Sequence, residues 1–293
     1  MALISRILMP VAFSDRCRNT VPYAEALAVH FHAELVLLHV VEPLIGTYVS
    51  GEAMAYSSVA DDDGQRVAHA EKRLSEIAAA GMGGELTLET VVLRGDPARE
   101  IVNLAHARKF DLIVMPTHGH GPFRRLLLGS VTAKVLHDAD CPVWTGPHLA
   151  GAAAPQPIPF RRILCGLDLG SESADVLRWA AGFARECGAQ LTVVHILPTA
   201  TAQLGGFYFD PEWSQQMAKT ALRSVVAIQE EVSAPAEVMV RVGEVSEGVS
   251  HAATEWGADL LVIGRGRRAG VLGRLRATAY AILRESPCPV AAV

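Results

Sequence analysis

RGDPAREIVNLAHARKFDLIVM, residues Arg94–Met115, returns later in the chain as VGEVSEGVSHAATEWGADLLVI, residues Val242–Ile263. Each copy runs through a helix-period string and ends in a short apolar run. In the first copy Asp96 stands where an N-cap belongs, and Pro97 falls in the first turn, where a missing N–H does no harm. The apolar run Leu112–Met115 shows no polar alternation, the mark of a strand covered on both faces. A helix followed by a fully buried strand is half of a parallel crossover unit. Finding it twice directs the search for the rest of a repeat.

The rest is there. RILMPVAFS at Arg6 answers RILCGLDLG at Arg162, AELVLLHVVEP at Ala33 answers AQLTVVHILPT at Ala189, and DADCPV at Asp138 answers RESPCPV near the C-terminus. Ile7 thus corresponds to Ile163, His39 to His195, Asp111 to Asp259 and Cys141 to Cys288, the second copy being shorter in its middle. One repeat of half the chain means two homologous domains rather than a solenoid. The Pro-, Gly- and Ala-rich TGPHLAGAAAPQPIPF between them reads as a linker. The expected division is 1–146, a linker at 147–159, and 160–293.

Strands are expected at Ile7–Val11, Leu35–Val41, Leu86–Leu93 and Leu112–Met115, with helical periodicities between them. Val21, Ala24, Ala28 and Phe31 share one face, as do Val176, Ala180, Phe183 and Cys187. Strand and helix in alternation predict two doubly wound, Rossmann-like α/β domains, each a parallel sheet with right-handed crossovers and helices on both faces. In such sheets ligands sit beyond the carboxyl ends of the strands, where strand order reverses.

The bulk numbers narrow the class. Half of the 293 residues are hydrophobic and 19% are charged, which excludes global disorder. A net charge of −5 argues against a nucleic-acid footprint, which wants a basic face. Five scattered cysteines without a C-x-x-C pair fit reduced core thiols. The apolar start MALISRILMPVAF is broken by Ser5 and Arg6 and lacks a small-residue cleavage site. No run approaches the eighteen or so uncharged apolar residues of a membrane span. The expectation is a cytoplasmic protein without membrane contact.

The stretch MPTHGHGPFRRLLLGS, Met115–Ser130, leaves the carboxyl end of a strand and enters a helix at Gly129-Ser130. Glycine at a helix start lets a phosphate approach free backbone N–H groups. The serine hydroxyl adds a donor, and the positive end of the helix dipole favours the anion. Gly119 and Gly121 allow the positive φ of an anion-binding nest, with Arg124 and Arg125 as added charge. From the string alone, a glycine-rich turn with a serine cap and no ligand reads equally well. His118 and His120 stand two apart with no cysteine or carboxylate in the loop, so they read as solvated or phosphate-facing rather than metal-bound. His39 and His195 end equivalent strands, where they line a pocket or satisfy a backbone carbonyl. The acidic run Asp61–Asp63 offers oxygen ligands for Mg2+ but reads better as the opening of the second helix. Ser-His-Asp and Cys-His arrangements, G-x-S-x-G and the Walker loop are all missing.

Both halves resemble universal stress protein domains. The family's nucleotide motif, G-x-x-G, nine residues, then G-S or G-T, is similar to Pro116-Thr117-His118-Gly119, nine residues, Gly129-Ser130, followed by VTAKVLHDADCPV. ILMPVAFS, LLHVVEP and GDPAREIV carry the resemblance through nearly all of both copies. It implies a five-stranded parallel sheet per domain and an adenine nucleotide, ATP with or without Mg2+, as ligand. It places Met115, Pro116, His118, Gly119, Gly129, Ser130 and Val131 in the nucleotide site, Val40 at the adenine-packing position, and Ala12 at the position of the family's aspartate near base or ribose.

Departures qualify this. Pro116 replaces the leading glycine and donates no N–H, and Ala12 replaces the aspartate. The second copy keeps Asp168 and Gly264, yet has Arg267 near the second glycine position and Arg276-Ala277 opposite Gly129-Ser130. Its cluster of Arg265, Arg267, Arg268, Arg274 and Arg276 reads as a solvated basic face before an anion site. The expectation is ATP binding mainly in the first domain by a non-enzymatic, nucleotide-sensing stress protein, with binding in the second domain in doubt. The alternative is an interaction scaffold without nucleotide. A nucleotidyl-transferring enzyme is disfavoured, since neither PVAFSDRC nor GLDLGSES carries its motif. The resemblance also implies that the domains pair through CPVWTG and CPVAAV, with a homodimer of whole chains as a further option.

Overall fold

The computed structural model describes residues 2–43, 55–80, 86–116, 128–146, 160–198, 211–266 and 277–293. The chain divides into two compact units, one of 1–122 with 129–141 and one of 123–128 with 142–293. The linker expected at 147–159 lies outside the described residues.

The first unit alternates β1 (Arg6–Pro10), α1 (Asp15–Phe31), β2 (Glu34–Val41), α2 (Ala55–Ala80), β3 (Leu88–Arg94), α3 (Pro97–Ala107), β4 (Leu112–Met115) and α4 (Ser130–Asp138). Its strands lie in the order β3-β2-β1-β4, all parallel, with Ile7 beside both Leu35 and Leu112. The chain steps outward from β1 to β3, then returns to the other flank of β1. The order therefore reverses between β1 and β4, where a doubly wound sheet opens its ligand crevice. Past Arg6 both flanking strands are apolar: Ile7, Leu8, Leu112, Ile113 and Val114 have no exposed surface.

Two devices hold these strands in register. Asp111, at the start of β4, accepts through Oδ2 from Ser5 N–H (2.8 Å), Ser5 Oγ (2.7 Å) and Arg6 N–H (2.9 Å). Arg108 grips Glu89 through both terminal nitrogens and also reaches Glu34, which in turn meets Arg6. The Arg108 hydrogen bond holds the Glu89 carboxyl below its ordinary pKa. Asp96 caps α3 as expected, its Oδ1 accepting from Arg99 N–H at 2.9 Å.

The second unit contains β5 (Val143–Thr145), β6 (Arg162–Gly166), α5 (Ser173–Cys187), β7 (Gln190–Pro198), α6 (Pro211–Val232), β8 (Glu237–Gly243), α7 (Val245–Trp256), β9 (Leu260–Ile263), α8 (Ala277–Glu285) and β10 (Val290–Ala292). Five parallel strands run β10-β9-β6-β7-β8, and β5 joins antiparallel to β10, Val290 facing Thr145 and Ala292 facing Val143. So β5, which closes the first repeat in sequence, falls in the second compact unit. Trp144 on β5 has no exposed surface and packs on Phe160 and Phe183. Asp259 repeats the part of Asp111, accepting from Arg161 and Arg162 N–H.

The helical faces read from the sequence are the buried ones: Val21, Ala24, Ala28 and Phe31 on α1, and Val176, Ala180, Phe183 and Cys187 on α5. One expectation is corrected. The acidic run Asp61–Asp63 does not open α2, which begins at Ala55. Acids favour helix N-termini, but the preceding residues contain nothing that stops a helix, so it starts earlier. Among the described residues, no helix is long and apolar enough to cross a membrane.

Candidate functional site

In the first unit the crevice begins where β1 ends. Val11 N–H donates to Leu38 O at 2.7 Å, carrying the chain one residue past Pro10 alongside β2. The next residues turn sharply, with Phe13 at φ +55°. Val11 O meets Nδ1 of His39 at 2.7 Å. A carbonyl only accepts, so Nδ1 carries the proton and Nε2 is left as an acceptor. The His39 ring lies against Phe13 at 4.3 Å between centroids, and the Arg73 guanidinium covers Phe13 at 4.2 Å. Burial, followed by the charges of Arg73 and Arg66, lowers the His39 pKa against the opposing effect of the Val11 bond.

The other wall is the end of β4 and the start of α4. Gly129 occupies the N-cap with extended backbone (φ −57°, ψ 142°) and has no side chain to close the first turn. Ser130 is therefore the first helical residue rather than the cap. The leading N–H groups of an α-helix have no partner within it, and here they belong to Ser130, Val131 and Thr132. Thr132 Oγ1 turns back to donate to Pro116 O at 3.1 Å.

Between these walls lies a cavity of about 470 Å3, within the range of roughly 300–1,000 Å3 usual for small-molecule sites. Of the residues singled out by sequence, Ala12, Val40, Met115, Pro116, Gly129, Ser130 and Val131 all line it. His118 and Gly119 lie outside the described residues, as do His120, Gly121, Arg124 and Arg125. Sequence reasoning missed Arg66 and Thr132. Arg66 reaches the β2 end of the cavity from α2, its Nη1 donating to Glu42 O (2.9 Å) and Asp63 Oδ1 (3.3 Å). Nothing in a helical string marks which of its arginines faces a crevice. Thr132 was findable, since a hydroxyl two residues past Gly-Ser sits on the first turn.

The chemistry fits a phosphate at one end: first-turn N–H groups with no partner inside the helix, a helix dipole, and a glycine that admits close approach. No carboxylate stands at Ala12. The donor set at α4 suits the phosphates of ATP. For Mg2+, no group of three or more metal-ligating side chains converges among the described residues.

The second unit builds the same corner differently. His195 Nδ1 meets Leu167 O at 2.7 Å, Leu167 N–H donates to Val194 O, and Leu169 takes φ +60° in the position of Phe13. Asp168 accepts through Oδ1 from Gly170 N–H (2.8 Å) and Ser173 Oγ (3.2 Å), so the turn into α5 holds its carboxylate. Asp168 and Gly264 line a cavity of about 240 Å3, separate from the first and half its size. A Cβ on Gly264 would stand 3.1 Å from Val176 Cγ2, so the glycine admits close packing there. Arg265 is buried, while Arg267, Arg268, Arg274 and Arg276 lie outside the described residues.

Two α/β units in tandem, each with a crevice at the strand-order reversal and the first with an open helix N-terminus beside it, define a doubly wound α/β fold with a candidate ligand site. The universal stress protein family model matches residues 4–145 and again 159–293, and the chain belongs to that family. It is 34% identical over 143 residues to a universal stress protein of Methanocaldococcus jannaschii, covering 48% of this chain and 81% of the relative. It is also 34% identical over 145 residues to one of Thermus aquaticus, covering 48% and 97%. Among solved structures, a universal stress protein of Archaeoglobus fulgidus aligns at TM-score 0.67 and 19% identity, covering 98% of this chain and 97% of that one. A functionally unknown protein of Pseudomonas aeruginosa aligns at TM-score 0.64 and 18% identity, covering 99% and 92%. These two structural likenesses concern the fold alone.

Proposed function

We propose that the first unit binds an adenine nucleotide, ATP foremost, and that the protein uses this binding as a signal in a stress response rather than turning the ligand over. One observation carries the reading: the uncapped first turn of α4, Gly129 to Thr132, opens onto a cavity of about 470 Å3 at the reversal of strand order. Phosphates accept from its N–H groups, and the base lies towards Val40 at the end of β2. Mg2+ would accompany ATP through the phosphates, with solvent completing its shell. Membership in the universal stress protein family supports the reading.

The non-enzymatic part rests on the groups present. His39 is engaged with Val11 O through Nδ1 and stacked on Phe13, and among the described residues no carboxylate is hydrogen-bonded to it. A base without an orienting acid is a poor start for nucleophile activation. Such a protein works by population shift: the ligand favours one arrangement of the unit that holds it, and a partner reads it. We further propose that the two repeats join through their terminal strands, in keeping with the antiparallel register of β5 and β10. The scaffold alternative draws on Ala12 and Pro116.

Calorimetry with ATP at millimolar Mg2+ tests the assignment. Binding to the wild type that is lost in a Gly129→Val/Ser130→Ala variant is expected. No binding to the wild type, or unchanged binding in the variant, overturns it in favour of the scaffold.

A further inference from the structure

In the first unit β2 ends against two spaces. The connections β1–α1–β2 and β2–α2–β3 step one way along the sheet, and β3–α3–β4 steps back. Right-handed crossovers therefore put α1 and α2 on one face and α3 and α4 on the other. The cavity of about 470 Å3 opens on the α3–α4 side, with Pro97, Ile101 and Gly129 in its lining. A further cavity of the same unit, of about 440 Å3, opens on the α2 side, where Phe13, Gln65, His69 and Ala70 line it. Among the described residues the two share only His39, Val41 and Arg66, at the end of β2.

The α2 side is basic. Arg66, His69 and Arg73 recur at spacings of three and four, so they form one stripe along α2. Arg66 and His69 line the cavity, and Arg73 covers the Phe13 ring of its wall at 4.2 Å. Asp63 meets Arg66 at 3.3 Å. Among the described residues neither His69 nor Arg73 has a carboxylate partner, and Arg73 donates to Phe13 O at 3.5 Å. The charges of Arg73 and Arg66 also bear on His39, where they add to burial in holding its pKa below the ordinary value. Like charges gathered in excess of acids oppose one another, and an anion seated among them relieves that repulsion. The contact with Phe13 accounts for Arg73 alone. It leaves Arg66 and His69, which turn to the same space, without a structural reason.

The lining also says what kind of anion fits. Guanidinium and imidazole N–H groups are the donors that read a phosphate. His39 has Nδ1 committed to Val11 O, so the nitrogen left for a ligand is Nε2, an acceptor for a hydroxyl. Val41, Ala70 and Phe13 add apolar surface. A bare ion would leave most of the volume empty, and about 440 Å3 falls in the range of small-molecule sites. We propose that this cavity is a separate anion site, which takes a phosphate group carried by a small hydroxylated monoester. The ligand lies across the sheet from the nucleotide cavity, and the assignment does not require that cavity to hold ATP.

Calorimetry at constant ionic strength with glycerol 3-phosphate, inorganic phosphate and glycerol tests it. The full-length Gly129→Val/Ser130→Ala background is used, so that the α4 turn does not compete for phosphate. Glycerol 3-phosphate is expected to bind at one site per chain, inorganic phosphate more weakly, and glycerol not at all. Arg66→Gln and His69→Gln should each weaken the ester by about tenfold or more, the loss expected for a hydrogen bond to a charged group. His69 is exposed and has no carboxylate partner among the described residues, so its variant leaves the fold intact. A thermal melt checks the Arg66 variant. Absence of ester binding overturns the proposal, as does glycerol binding as tightly as the ester, or ester affinity untouched by both substitutions. Inorganic phosphate binding as tightly as the ester would assign the site to the free ion and overturn the monoester. Ester binding that fails while the wild type binds ATP overturns this site alone, and the reverse overturns the nucleotide reading alone.

Discussion

Thr132 Oγ1 donates to the carbonyl oxygen of Pro116 at 3.1 Å, joining the end of β4 to the first turn of α4 across the mouth of the first cavity. Proline donates no N–H, but its carbonyl is what positions the helix that offers N–H groups to a ligand. Thr132 is buried, so Thr132→Val leaves the Pro116 carbonyl without this donor while keeping the shape. It should destabilise the protein by about 1–2 kcal/mol in a urea titration and weaken ATP binding, whereas Thr132→Ser should retain both. Equal behaviour of Val and Ser variants would remove Thr132 from the site's support.

His39 makes the first unit sensitive to acid. Its folded pKa lies below the ordinary value of 6.5, chiefly through burial. The unfolded chain therefore binds the proton more readily, and stability rises with pH across this window. The contribution is fully present above about pH 6.5 and is lost as pH falls through the folded value. Arg73 over Phe13 and the nearby Arg66 act in the same direction, disfavouring a second positive charge. The melting temperature of the wild type should drop between pH 7.5 and 5.5, and His39→Phe should flatten that dependence. An unchanged slope in the variant would assign the acid sensitivity elsewhere.

Asp111 and Asp259 each gather the backbone N–H groups that open the central strand of their unit. Asp111→Ala leaves Ser5 and Arg6 to solvent, since these groups are at the surface. A loss of about 1–2 kcal/mol is expected in chemical denaturation, with Asp111→Asn intermediate. ATP affinity should change little, because the aspartate stands at the amino end of the sheet, away from the crevice.

Gly248 lies inside α7, where alanine would ordinarily gain about 1 kcal/mol of helix propensity. A Cβ there would stand 2.9 Å from Ile196 Cδ1 and 3.2 Å from its Cγ1 and Cγ2. Such crowding costs about 1–3 kcal/mol and outweighs the gain, so Gly248→Ala should lower the melting temperature. Ile196 also lines the second cavity.

The repeat made the architecture legible because a doubly wound sheet writes itself locally. Uninterrupted apolar runs become buried parallel strands, and three-to-four spacing puts Val21, Ala24, Ala28 and Phe31 on one buried face. Caps were equally local, so Asp96 was readable. The start of α2 was not: acids at Asp61–Asp63 fit a helix opening, but propensity is a weak guide where the upstream residues also favour helix.

For the site, Gly129 and Ser130 were legible from glycine chemistry at a helix start after a strand, and the family resemblance added Ala12, Val40, Met115, Pro116 and Val131, all on the first cavity. By itself the sequence determined two α/β units, the first unit's parallel strands to within about two residues and the place of their crevices, because each follows from short-range pattern. Only the tertiary structure decided that Arg66 reaches the first cavity from α2, that Thr132 ties α4 to Pro116, and that the second cavity is half as large with an acidic lining. Those depend on which side chains from distant segments converge. Side-chain convergence is set by packing across elements, and no local period records it.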